Sequence, residues 1–471
     1  MVAGAEPLLR LSLFVLVMLA TTAEARGVSP YLPVNISPEI ERKIERVLIL
    51  ADQPHLTRPF AAATVNDALP RACERDRTLC DDVRRYLTSL TRTAGITYAS
   101  VTAAGGSGAH TALPLRHGMT SDSNYEAAIA AYWQPGSAFL VTAGVLSYDG
   151  ETTPTGTVVS FGADFAQIDV GYRDRWWSPA QGNAMLLSTQ AATMPSVTIS
   201  NYRPLTKANL RYEAFIARMS ESSNIATDTG TTTGHPQLAG LHLSIEPLPG
   251  WSLGVSRIMQ YGGGDRDDSF SSLFDAFFNP SDKDNTGTPQ DFGNQVASLT
   301  SQFIIGDPLP LTVYFEYAGE DTSTLSNLRL GNTALSAGLA FPRIGKRLSA
   351  TFEVSEWQNG WYVHHIYIDG LRNEDHVLGH WGGDWRTLGD GVGAKSAFAR
   401  VNIEQVFGGA IEASYRQLDN EDYTGVSYET AQQLDARYSR PWQQLFVGGE
   451  ITVGRDVFGE SYSRLGAFIR F

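Results

Sequence analysis

The last eleven residues, Ser461 to Phe471 (SYSRLGAFIRF), put Leu465, Ala467, Ile469 and Phe471 on one face of an extended strand. Arg464, Gly466, Phe468 and Arg470 fall on the other. An apolar face backed by one with two arginines suits lipid outside and a polar lumen inside. The edge strand of a soluble sandwich alternates in the same way, so the rest of the chain has to decide.

It does so by repetition and spacing. From Ile96 onward, segments of roughly ten residues alternate apolar with polar, as transmembrane barrel strands do. Leu311–Tyr317, Leu348–Val354, Ile411–Arg416, Leu434–Tyr438 and Phe446–Ile451 each keep their charges on one face. Read back from Phe471, tight and long connections take turns. Pro441-Trp442, Gln405–Gly408, Pro342–Lys346, Gly306–Pro310, Glu246–Gly250 and Tyr202–Thr206 are tight, whereas Gln417–Glu429, Trp357–Val392, Gly319–Asn332, Gly262–Phe292, Ser220–Pro236 and Arg173–Pro195 are long. Short turns at one end and long loops at the other are the pattern of an outer-membrane barrel, here of about 18 antiparallel strands. An even count places both barrel ends on the periplasmic side, and a terminal aromatic is similar to the insertion signal of bacterial barrels. The expected fold class is therefore an all-β transmembrane barrel with a small N-terminal periplasmic α-helical domain.

Residues 1–25 read as a secretory signal peptide, with Leu8–Ala20 as its apolar core and Ala23-Glu24-Ala25 as its cleavage site. Residues 26–95 carry helical spacing instead. Ser37-Pro38-Glu39 opens the first helix with an N-cap serine, a proline at the first position and acids at the positive end of the dipole. Further helices are expected over Thr64–Glu74 and Asp81–Thr93. Cys73 and Cys80 bracket the loop between them, and in an exported chain they are expected to form a disulfide. Residues 96–471 form the barrel. With 50 acidic against 36 basic residues, nucleic acid is excluded as a partner, because phosphate binding needs clustered Lys and Arg. Outer-membrane lipid is expected around the wall, and the protein is expected to be monomeric.

The lumen should be cross-linked and partly filled. Glu213, Glu316, Glu353, Glu404, Glu412, Asp435 and Glu450 stand beside Arg211, Arg400, Arg416, Arg437, Arg464 and Arg470 on the inward faces.

Three long loops carry unusual chemistry. The first holds Arg173-Asp174-Arg175-Trp176-Trp177-Ser178-Pro179; the indoles suit either sugar stacking or packing. The second holds Arg266 among acids and a predicted helix over Ser269–Phe278, its phenylalanines folded inward over the barrel mouth. Asp282–Thr288 in the same loop begins like a calcium loop but lacks the closing glutamate, so a solvated acidic turn is expected. The third loop holds Trp361, His364-His365, Asp384 and Trp385. In an extended segment the two histidines point to opposite faces and cannot jointly bind one metal. No metal or other cofactor is expected, and no hydrolase or zinc-protease motif nominates a catalytic residue.

At these loops the chain resembles a known family. WSLGVSRIMQYGGGDRDDSFSSLFDAFF, then DNTGT and FGNQ, HHIYIDG followed by GGD, and RWWSP are similar to segments of the Wzi family of capsule-assembly outer-membrane proteins, which more usually has glycine where Ser178 stands. The resemblance spans roughly Arg173 to Phe471. It implies an 18-stranded barrel with a periplasmic helical bundle, and a lectin-like role holding capsular or other exported polysaccharide at the cell surface. The sugar-binding candidates are Trp176, Trp177, Arg266, Trp361, Asp384 and Trp385. The protein is not expected to be an enzyme, and the alternative reading is a porin for small solutes.

Overall fold

The computed structural model describes residues 27–34, 36–278, 291–306, 309–322 and 330–471. The expected signal peptide and the acidic turn Asp282–Thr288 lie outside these residues.

A closed ring of 18 antiparallel strands forms the body. In chain order these are β1 (Ala94–Gly108), β2 (Tyr125–Gly136), β3 (Phe139–Tyr148), β4 (Val158–Ala163), β5 (Ala166–Gly171) and β6 (Ser196–Ser200). Next come β7 (Arg211–Arg218), β8 (Gln237–Leu248), β9 (Trp251–Tyr261), β10 (Gly293–Ile305), β11 (Leu311–Thr322) and β12 (Leu330–Ile344). The ring ends with β13 (Leu348–Trp357), β14 (Ala394–Val406), β15 (Gly409–Asn420), β16 (Ala431–Trp442), β17 (Leu445–Arg455) and β18 (Ser461–Arg470). A further short strand, Glu151–Thr153, pairs only with β3. Strand β1 closes the ring: its Val101 lies opposite Ala127 of β2 and Ile469 of β18. Closure leaves no unpaired edge in the bilayer, where an orphaned backbone group would cost several kcal/mol.

The final strand has the orientation its alternation demands. Leu465 and Ile469 are 66% and 50% exposed on the wall, while Arg464 and Arg470 are 3% and 5% exposed inside. Val101, Val255, Leu335 and Val354 continue the outer apolar band. Trp133, Phe139, Phe303, Phe407 and Trp442 stand exposed near the tight turns, as an interfacial aromatic girdle does. The turn between β14 and β15 is tight because Phe407 and Gly408 both adopt positive φ, 47° and 78°, the twist that suits a two-residue hairpin.

Three helices sit at the tight-turn end: α1 (Pro38–Leu50), α2 (Ala62–Arg75) and α3 (Arg77–Thr88). Cys73 and Cys80 are disulfide-bonded, joining α2 to α3. Val47, Leu48, Val65, Leu69, Leu79 and Val83 form a core that also takes in Tyr132 and Leu140 of the barrel wall. The helices are thus sealed against the strands rather than only on themselves. The Ser37 side chain makes no capping hydrogen bond, contrary to the cap expected from sequence. Glu39 is drawn into the lumen instead, where Arg470 reaches it at 3.1 Å and Arg437 at 3.7 Å.

Candidate functional site

The lumen is packed in two layers with different physics. Near the helices it is a charge lattice. Arg437 pairs with Glu412 at 2.6 Å, Arg464 with Glu450 at 2.8 Å, and Arg416 with Asp435 at 2.7 Å. Helix α1 contributes Arg42 to Glu412, Arg46 to Glu404, and Glu45 to both Arg58 and Arg400. Burial disfavours each charge alone, so the acids and bases have to be interleaved. A polar cavity of about 120 Å³ remains among Arg42, Arg400, Glu412, Asp435, Arg437 and Glu450.

Toward the long-loop end the filling is apolar, and the loops provide it. Residues 172–195 leave β5 and turn down into the barrel. Strand carboxylates hold them there: Glu353 accepts from backbone Gln181 N and Gly182 N at 2.6 and 2.9 Å and from the Asn183 side-chain Nδ2 at 2.8 Å. Tyr314 donates to the same carboxylate at 2.6 Å, and Ser178 Oγ donates to Glu316 at 2.7 Å. Trp177 Nε1 donates to Glu213, which also meets Arg173 at 2.7 Å. These carboxylates replace the water a loop backbone would otherwise need.

Residues 358–393 cover the inserted loop and bolt to it. Tyr362 donates to Met185 O and accepts from His380 N, both at 2.6 Å. Asp384 accepts from Gln190 at 2.6 Å, Arg372 at 2.7 Å, His376 at 3.0 Å and Val377 N at 2.9 Å. Burial alone would raise the Asp384 pKa, but the His376 hydrogen bond and the Arg372 charge outweigh it and hold the carboxyl below its usual range. His380, enclosed beside Trp357 and Trp381, is pushed down to about 3, chiefly by burial and then by Arg416.

Of the two readings open for Trp176 and Trp177, sugar stacking or packing, their burial favours packing, and the candidates Trp361 and Trp385 are buried with them. Trp176, Trp177 and Trp361 are 0% exposed and Trp385 is 2% exposed, all in one apolar cluster with Met185, Leu187, Phe215 and Trp357. Their ring faces are covered by protein, because a barrel this wide has an interior that only loop side chains can fill. Asp384 is a fastener whose oxygens are already taken. Arg266 lies apart, beside Asp291 and Tyr367, donating to the Asp291 carbonyl.

Two further expectations are corrected. Helix α4 (Phe270–Phe278) forms, but it buries Leu273 and Ala276 and leaves Phe270, Phe274 and Phe278 at 70%, 54% and 64% exposure. His364 and His365 do not point apart: their ring centroids are 4.4 Å apart. The segment curls instead of extending, after Tyr362 at φ 63° and with Ile366 N donating to His364 Nδ1.

What remains open to solvent at this end is largely acidic, and of these acids the sequence marked only those around Arg266. Among the described residues, every exposed Asp, Glu, Lys or Arg between the strands here is acidic: Asp122, Asp149, Glu151, Glu221, Asp228, Asp265, Asp267, Asp268, Asp275, Glu374, Asp375, Glu421, Asp422, Glu429 and Glu460. Tyr423 stands among them at 66% exposure, on a loop anchored by Thr424 and Tyr428 to Asp390 at 2.8 and 2.5 Å. Its signal in the sequence is faint, one aromatic in the run Glu421-Asp422-Tyr423-Thr424-Gly425.

A closed wall with an apolar belt, a lumen filled by its own loops and a face of carboxylates and hydroxyls define an outer-membrane β-barrel whose long-loop end is packed rather than open. The sequence profile described as capsule assembly protein Wzi matches residues 98–445, and the chain belongs to that family. The fold is similar to that of Wzi of Escherichia coli, described as a carbohydrate-binding β-barrel involved in group 1 capsule assembly. The TM-score is 0.72 over 94% of this chain and 99% of that one, at 14% identity. An uncharacterised 55.8 kDa protein from the cps region of Klebsiella pneumoniae is 39% identical over 95 residues, which span 20% of this chain and 18% of that protein.

Proposed function

We propose that this protein is a lectin-like anchor that holds exported, capsular polysaccharide at the bacterial surface, with no catalytic step of its own. The long loops face the exterior and the helices face the periplasm in this reading. The observation that carries it is the loop-filled lumen: with Glu353, Glu316 and Glu213 engaged by residues 172–195, the long-loop face is the surface left for a polymer to meet. That face suits sugars. Carboxylates such as Asp422 and Glu421 accept from hydroxyls, and the Tyr423 ring is free to cover an apolar sugar face. Membership of a family named for capsule assembly, and the carbohydrate-binding relative from E. coli, support the same reading.

The test is surface polysaccharide retained on cells that make equal amounts of folded barrel. Substituting Tyr423 together with Asp422 should release polymer into the medium. Unchanged retention with both substitutions, or release by wall substitutions alone, would move recognition away from this face.

A further inference from the structure

Asp291, His364 and His365 come together at the long-loop end, each offering a ligand atom within 4.8 Å of the others. We propose that these three side chains form a binding site for a divalent transition-metal ion of the zinc type.

The donors are already organised. His365 Nε2 lies 3.3 Å from Asp291 Oδ2, close to the roughly 3.4 Å edge of a tetrahedron drawn at zinc–ligand distances near 2.1 Å. The other Asp291 oxygen accepts from Gly293 N at 3.0 Å, which fixes the carboxylate in place. His364 accepts from Ile366 N through Nδ1, while its buried Nε2 has no hydrogen-bond partner among the described residues. With Nδ1 accepting, the buried Nε2 carries the ring proton, so ligation through Nε2 requires the tautomer protonated on Nδ1 and gives up the 3.3 Å contact with Ile366 N. His365 is 42% exposed, so the ion has a path in and an open coordination position.

Donor type sets the metal. Two imidazoles and one carboxylate suit Zn²⁺, Ni²⁺ or Cu²⁺ and not Ca²⁺, which takes oxygen ligands. The nearby Arg266 guanidinium opposes the ion, so it tunes affinity downward.

The experiment uses the full-length protein in detergent, stripped with chelator and titrated with Zn²⁺ by calorimetry, with Co²⁺ absorption reporting tetrahedral ligation. One saturable site is expected, insensitive to millimolar Ca²⁺. His364→Ala and Asp291→Asn should each weaken it at least tenfold, and Arg266→Gln should tighten it. Heat-modifiable gel mobility checks that each barrel is folded. The exposed His365→Ala, which leaves the packing intact, guards against a folding artefact and should also weaken binding. No saturable Zn²⁺ site would overturn the proposal. So would a site that survives His364→Ala and His365→Ala but is lost on substituting His110 or His235, whose pairs with Asp122 and Glu221 offer two ligands each.

Discussion

Two long loops leave the barrel at the same end and meet opposite fates. Residues 172–195 dive into the lumen, where Trp176 and Trp177 are 0% exposed. Residues 421–430 stay outside, with Tyr423 at 66% exposure. Both carry aromatic and charged residues, but only the first adds Met185, Leu186 and Leu187, which join the apolar core. The wall beneath it also differs. Under the first loop, Glu213, Glu316 and Glu353 point inward and accept its N–H and O–H groups. The second is tied at its rim, through Asp390 and through Asn420 donating to Trp385 O at 2.8 Å. A loop goes inside where strand acceptors stand ready for its backbone, and aromatic content then fills the space.

The sharpest way to break the contrast is to remove the acceptor. Glu353→Ala strands four donors in a buried interior and should cost about 3–5 kcal/mol of loop docking. Trp177→Ala should cost a similar amount, about 3–5 kcal/mol, by emptying the core. Denaturant titration in detergent reads the loss. Planar-bilayer recordings should change from silent for the parent protein to steadily conducting for Glu353→Ala. Large conductance in the parent would instead favour a porin.

The helices at the other end offer a second test. Reducing Cys73–Cys80 opens a small loop and should cost the helical segment about 2–3 kcal/mol. Hydrogen exchange should then rise in α2 and α3 while the strands keep their protection. Alkylation of the unreduced protein should find no free thiol, and two labelled cysteines would refute the bridge.

pH probes the inner loops in turn. His380 is held near 3 in the folded protein and returns to about 6.5 when unfolded. Between those values the unfolded chain binds the extra proton, so stability falls as pH falls from 6.5 toward 3. At pH 5 the loss should be about 2 kcal/mol, and His380→Gln should flatten that part of the profile. An unchanged profile in the variant would assign the slope to other groups.

The smallest effect should come from the outer loop. Tyr423→Ala should change stability by less than about 0.5 kcal/mol, since its ring packs on little. Its cost should appear in polymer retention, about 1–2 kcal/mol per sugar contact by analogy with base stacking, and blunted by the polymer's many repeats. If Trp177→Ala releases polymer while conductance and stability hold, the assignment of inside and outside is reversed.

Legibility in the sequence followed the range of the interactions. Which face of β18 meets lipid was readable, because side chains alternate within a strand whatever lies around it. The rhythm of tight and long connections gave about 18 strands for the same local reason. The three helices and the wall charges were readable from period and end signals, although the third helix, expected over Asp81–Thr93, forms over Arg77–Thr88. The tertiary structure decided what became of the loops. Ring closure sets a lumen wider than strand side chains can fill, and that width is a property of all the strands at once. Trp361 and Trp385 therefore became core, Asp384 became a fastener, and His364 and His365 were turned toward one point with Asp291. Many of the contacts that decide this join distant residues, such as Gln181 and Glu353, 172 positions apart. No local period encodes them.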